Sequence, residues 1–170
     1  MSELKAIFWD VGGVLLTNAW DHEQRAQALQ KFGLEEADFR KRHENFVVPL
    51  EKGEISLDEY LEQTIFYRPR SFAKDVFREY MFSLSQPKLE SLQFARKLAS
   101  TTDCLMGTIN NESKELNEYR IRSYGLDQIF TLFVSSRFCI PIPRTTGQIS
   151  FSDVFIFLTL LLYGGEVAVL

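Results

Sequence analysis

The chain has 170 residues, enough for one compact domain with a small insert, and its 45% hydrophobic and 25% charged residues are the balance of a globular protein rather than a disordered one. A net charge of −4 gives no electrostatic reason to expect nucleic acid as a partner. The two cysteines, Cys104 and Cys139, make neither a CxxC pair nor a zinc spacing.

The N-terminus lacks a basic region followed by an apolar stretch, so no signal peptide is expected, and a cytoplasmic location is the default. Leu4–Trp9 is an apolar run that ends at Asp10 and Gly12-Gly13, the pattern of a buried strand feeding a tight turn. Helical spacing follows from Trp20 to Phe32, with Gly33 placed to end it, and again over Glu35–Asn45. Ser56-Leu57-Asp58-Glu59 is a capping box opening a further helix that carries Leu57, Tyr60 and Leu61 on its apolar face. Phe72, Val76, Phe77, Tyr80 and Met81 form another helical stripe. Pro87 stands at the first turn of a helix with Leu89, Leu92, Ala95 and Leu98 inward.

Cys104–Ile109 reads as a second strand, followed by Asn110-Asn111, a helix from about Glu112 to Tyr124 that stops at Gly125, and a third strand over Ile129–Val134. Strands alternating with helices imply an α/β fold with a Rossmann-like parallel sheet. The helices from Trp20 to Met81 are too many for one crossover and read as an insert standing over the sheet. The expected organisation is therefore an α/β core from residues 1–17 and 82–136, a small all-helical cap insert at 18–81, and a divergent apolar tail at 137–170. That tail holds four charged residues in its 34, against 38 in the first 136, and Pro141 and Pro143 interrupt any regular element. Its most apolar stretch, Val154–Tyr163, is well short of the ~20 residues of a membrane-spanning helix. It suits an interface for self-association, or a buried helix or strand completing the sheet.

An aspartate at the carboxyl end of a parallel strand faces the crevice where such sheets bind ligands. Gly12 and Gly13 keep the turn open, so main-chain N–H groups can approach an anion closely. A carboxylate there can attack phosphorus if a cation offsets the repulsion, and Mg²⁺ suits the role because it takes oxygen ligands. The competing reading is an aspartate that caps a turn. Strand alternation puts Thr108 and Asn110 on one face, and the amides of Asn110 and Asn111 can donate to phosphate oxygens or cap the next helix. Lys114, one turn into that helix, can reach a phosphate or stand in solvent. Trp20, Phe46, Phe66 and Tyr67 are aromatic side chains for a pocket or for the core of the insert.

The stretch IFWDVGGVLL resembles the first motif of the haloacid dehalogenase-like (HAD) hydrolases, D-x-D-G-[TV]-[LV], in its D-x-G-[GN]-V variant. GEISLDEYLEQ is similar to a stretch of the helical cap of those enzymes, LMGTINNES corresponds to their second motif, and the resemblance takes in NNESKELNEYRI as well. The resemblance covers residues 1–136 and implies a Mg²⁺-dependent phosphatase acting on a small phosphorylated metabolite through an aspartyl-phosphate. It makes Asp10 the nucleophile and a metal ligand, and the Gly12 carbonyl a second ligand. Phosphate would be held by Gly12, Gly13, Asn110 and Asn111, with Thr108 the choice if the motif is slipped by two residues. The same carboxylate chemistry also serves carbon–halogen displacement.

The departures are equally specific. Glycine at position 12 removes the family's acid–base side chain, no lysine follows Lys114, and beyond residue 136 the only acids are the isolated Asp153 and Glu166. The family's phosphoaspartate-steadying lysine and its paired acids are thus missing. The resemblance then implies a sheet incomplete at the C-terminus, a truncated or replaced C-terminal part, and reduced or no activity. The alternative function is a non-catalytic binding or interaction protein on the same fold.

Overall fold

The computed structural model describes residues 6–135 and the short strand Val167–Val169. Strand β1, Ala6–Asp10, leads through a turn into four helices: α1 (His22–Lys31), α2 (Glu36–Glu51), α3 (Leu57–Thr64) and α4 (Lys74–Ser83). Helix α5 (Leu89–Thr101), strand β2 (Leu105–Asn110), helix α6 (Lys114–Tyr124), a 3₁₀ turn at Leu126–Gln128 and strand β3 (Leu132–Ser135) follow, and β4 is Val167–Val169. The sheet order is β3-β2-β1-β4, and every pairing is parallel.

The apolar run of β1 is buried up to Asp10, as a central parallel strand covered on both faces must be. On one face Ile7, Trp9 and Met106 meet Leu92 and Ala95 of α5 and Leu126, Ile129 and Phe130. On the other lie Ala6, Phe8 and Ile109 with Leu105, Leu132 and Val134 at the margin. Gly107 in β2 is where the Phe8 ring comes closest: a Cβ there would stand 2.6 Å from Phe8 Cε1 and 3.3 Å from the Leu132 carbonyl.

Helices α1–α4 bury a core of their own, centred on Trp20, Phe39, Tyr60, Leu61, Phe77 and Met81, with Phe46, Phe66 and Phe72 at its margin. The capping box closes α3 in both directions: Glu59 N–H donates to Ser56 Oγ at 3.2 Å and Ser56 N–H donates to Glu59 Oε2 at 2.7 Å. The chain leaves for these helices and returns from them side by side. Thr17 N–H donates to the Gln86 carbonyl at 2.8 Å, and Gln86 N–H donates to Thr17 Oγ1 at 2.8 Å.

The expected α/β Rossmann-like class holds, and several boundaries move. The second helix runs to Glu51 rather than Asn45, with Pro49 in its last turn, where one carbonyl, that of Asn45, loses its helical donor. Ser113, rather than Asn110 or Asn111, caps α6, accepting from Leu116 N–H at 3.3 Å. Strand β2 continues through Asn110, which leaves only Ser113 in cap position. Among the described residues the sheet is incomplete, as the divergent tail implies. Among the described residues beyond β3, Val167–Val169 alone joins it, pairing with Ala6–Phe8 on the side of β1 opposite β2. The stretch Val154–Tyr163, with Pro141 and Pro143, lies outside the described residues.

Candidate active site

Strand order makes β1 special. Its neighbours β2 and β4 lie on opposite sides, so the carboxyl end of β1 is the point at which the sheet's connections diverge, where open α/β sheets bind ligands. Asp10 ends the strand there with its side chain exposed. Partial burial pushes the Asp10 carboxyl above its ordinary range; the Val11 and Gly12 backbone amides and the Arg120 charge pull the other way and do not cancel it.

The turn after Asp10 folds because Leu15 and Leu16 N–H both return to the Val11 carbonyl, at 3.1 and 2.9 Å. Gly13 takes a positive φ of 76°, a conformation that costs glycine nothing. Lys88 Nζ donates to the Gly13 carbonyl and holds a cation against the outside of the turn.

Beneath the turn lies Arg120, fully buried on the inner side of α6. Its guanidinium donates to Ser85 Oγ at 2.9 Å, to the Thr17 carbonyl at 3.1 Å and to Glu112 Oε1 at 3.1 Å. One side chain therefore ties together both connections to the helical unit and the segment after β2. A buried guanidinium is tolerated only when its donors are satisfied, and this one has a carboxylate and two neutral oxygens.

A cleft of about 340 Å³ opens between α1, α2 and the segment after β2. Asn18, His22 and Arg25 line one wall, Glu51 another, and Asn111, Glu112 and Ser113 the third. Burial and the Glu112 charge push the Glu51 carboxyl up, with Arg25 opposing.

The residues singled out from the sequence divide by position. Asp10 and Gly13 are exposed, Gly12 is half-buried, and Asn111 is exposed and lines the cleft. Thr108 is fully buried with its hydroxyl unpartnered among the described residues, and alternation sets it on the sheet face opposite Asp10. Asn110 is also buried, and its amide is engaged: it exchanges hydrogen bonds of 2.6 and 2.8 Å with the Asn117 amide. Lys114 is exposed, with Glu118 at 3.7 Å one turn on. Among the aromatic candidates, Trp20 touches the cleft, and its indole N–H donates to the Tyr60 hydroxyl at 3.0 Å.

Sequence reasoning missed Glu112, Arg120 and Lys88. An arginine in a charged helix carries no signal of burial. Its spacing from Leu116, one turn apart on the inward stripe, is the only trace.

No family model matches the chain, and no curated protein matches its sequence. Solved structures do match its shape. A HAD family enzyme from Bacteroides thetaiotaomicron, solved with magnesium and inorganic phosphate, superposes with a TM-score of 0.67 at 15% identity over 98% of this chain and 84% of that one. A predicted HAD-like family hydrolase from Porphyromonas gingivalis gives 0.63 at 15% identity, covering 99% and 82%. A HAD phosphatase from Thermococcus onnurineus gives 0.57 at 13%, covering 97% and 75%. The parallel sheet with helices about it is an α/β Rossmann-like fold. Within that class it is the fold of the HAD-like hydrolases, as the IFWDVGGVLL stretch implied.

Proposed function

We propose that the chain is a HAD-like phosphohydrolase in which Asp10 attacks the phosphorus of a small phosphorylated molecule, with helices α1–α4 serving as the cap over the site. The observation that carries this reading is the position of Asp10. It is an exposed carboxylate at the carboxyl end of the central strand, followed by an open Gly12-Gly13 turn with Arg120 below it. A phosphoryl group there would meet a nucleophile and main-chain N–H groups, with the paired Arg120 charge buried beneath the turn. Asn111, exposed and lining the cleft, would supply the side-chain amide that donates to it.

Magnesium is tested by the donor set. Among the described residues no three His, Cys, Asp or Glu side chains converge as a metal cluster. The oxygens available are the Asp10 carboxylate and the Gly12 carbonyl, the hard-donor kind that Mg²⁺ takes while keeping most of its waters and using substrate phosphate as a ligand. The two fit a phosphate-dependent site. When bound, the ion would neutralise charge on the phosphoryl oxygens. The chain's own part would be to present Asp10 in line and to cradle the anion with the turn amides.

The deciding assay is hydrolysis of p-nitrophenyl phosphate with Mg²⁺ by the full chain and by Asp10→Asn. Turnover abolished by the substitution supports the reading; a folded protein with no turnover above background overturns it. In that event the second reading, a non-catalytic binding protein on the same fold, is the one favoured by the single-carboxylate donor set.

A further inference from the structure

Gly12 leaves a space beside the nucleophile, and the fold fills it from elsewhere. A Cβ at Gly12 would stand 2.9 Å from Asn18 Oδ1, 3.5 Å from Glu112 Oε1 and 3.9 Å from Arg120 Nη1. A carboxylate oxygen thus lies within contact distance of a side chain at position 12, although it comes from the segment after β2. Glu112 is not mobile there. Its Oε1 accepts from the buried Arg120 guanidinium at 3.1 Å, and Arg120 is itself fixed by Ser85 and Thr17. The same carboxylate lines the 340 Å³ cleft, so it has access to solvent.

We propose that Glu112, oriented by Arg120, is the base that takes a proton from the water attacking phosphorylated Asp10. This rests on the phosphohydrolase reading above. The water oxygen forms the new bond to phosphorus as the bond from phosphorus to the Asp10 oxygen breaks. The electron pair returns to the Asp10 carboxylate, inorganic phosphate departs, and the water proton passes to Glu112 and from there to solvent in the cleft. Arg120 is a positioning residue: it touches Glu112 and lies under the Asp10 turn.

The test uses the full chain with p-nitrophenyl phosphate, whose phenolate needs no proton to leave. With Glu112→Gln, one equivalent of phenolate should still be released while steady turnover falls by ~10²–10³-fold. Acid quenching should then trap phosphate on the protein. Wild-type turnover with no trapped phosphate in Glu112→Gln overturns the proposal. If the single substitution leaves Arg120 too poorly paired to fold, the double variant Glu112→Gln/Arg120→Gln removes both charges together. It should trap the same intermediate, and unimpaired turnover by it overturns the proposal too. A wild-type chain that releases no phenolate and traps no phosphate brings down the phosphohydrolase reading itself, and the role of Glu112 with it. A failure of the Glu112 assignment alone leaves wild-type turnover intact.

Discussion

Asp10 and Arg120 act on the stability of the fold in opposite directions. The carboxyl of Asp10 is raised in the folded chain, so it favours folding only while protonated, below its unfolded value, and works against folding as pH rises through the folded one. In chelator, Asp10→Asn should melt higher than the wild type at pH 7, with the gap closing toward pH 3; an equal or lower melting temperature at pH 7 would contradict this. Arg120→Met is the opposite case. It leaves Glu112 without its cation and Ser85 and the Thr17 carbonyl without a donor, and the loss should be about 1–3 kcal/mol in urea unfolding. These two residues also differ in how they are read from sequence. Asp10 follows an apolar run and precedes two glycines, a local pattern. The importance of Arg120 comes from partners 8, 35 and 103 positions away, which no local pattern encodes.

At the scale of elements, the strands and helices are legible wherever one face is apolar. The capping box of α3 and the glycine end of α6 can both be read with their mechanisms: Gly125 takes φ 61°, ψ 39° as a left-handed cap. What is not legible is register. Gly107 reads as an indifferent residue in an apolar run until β1 is laid beside β2 and the Phe8 ring is found over it. Gly107→Ala should therefore destabilise the chain by about 1–3 kcal/mol, because the ring or the Leu132 carbonyl must give way. Equilibrium unfolding of the variant reads this directly, and an unchanged midpoint would mean the sheet repacks without strain. Register also explains Thr108 and Asn110. Alternation does put them on one face, but the sheet's two covers send that face into the core and against α6.

For the whole molecule, acid should act first on the helical unit. The His43 side chain stacks on Phe39 and meets the Tyr60 hydroxyl at 2.7 Å. Burial and the Arg25 charge hold its pKa down at about 4. The unfolded chain takes up that proton near 6.5, so stability is present above 6.5 and is lost as pH falls toward 4. The loss, discounted for partial exposure, should be about 1–2 kcal/mol. Denaturation midpoints at pH 7 and pH 5 should differ accordingly for the wild type and converge for His43→Gln. The separation of two cores is visible in the sequence as too many helices for one crossover. The return of Val167–Val169 to the sheet is not, because a three-residue pairing at the far end of the chain from its partner has no periodicity to announce it.

The side-by-side crossing at Thr17 and Gln86 has a consequence for how such a protein can change. Residues 18–85 enter and leave the α/β layer through main-chain atoms one hydrogen bond apart. Deleting them and joining the two ends asks for little more than a tight turn, so closing the gap carries a small entropic cost. The segment is thus a cassette: a self-packed module that can be exchanged for another without re-threading the layer beneath. The strand that ends at Asp10 and the self-packed helical module can therefore diverge at different rates.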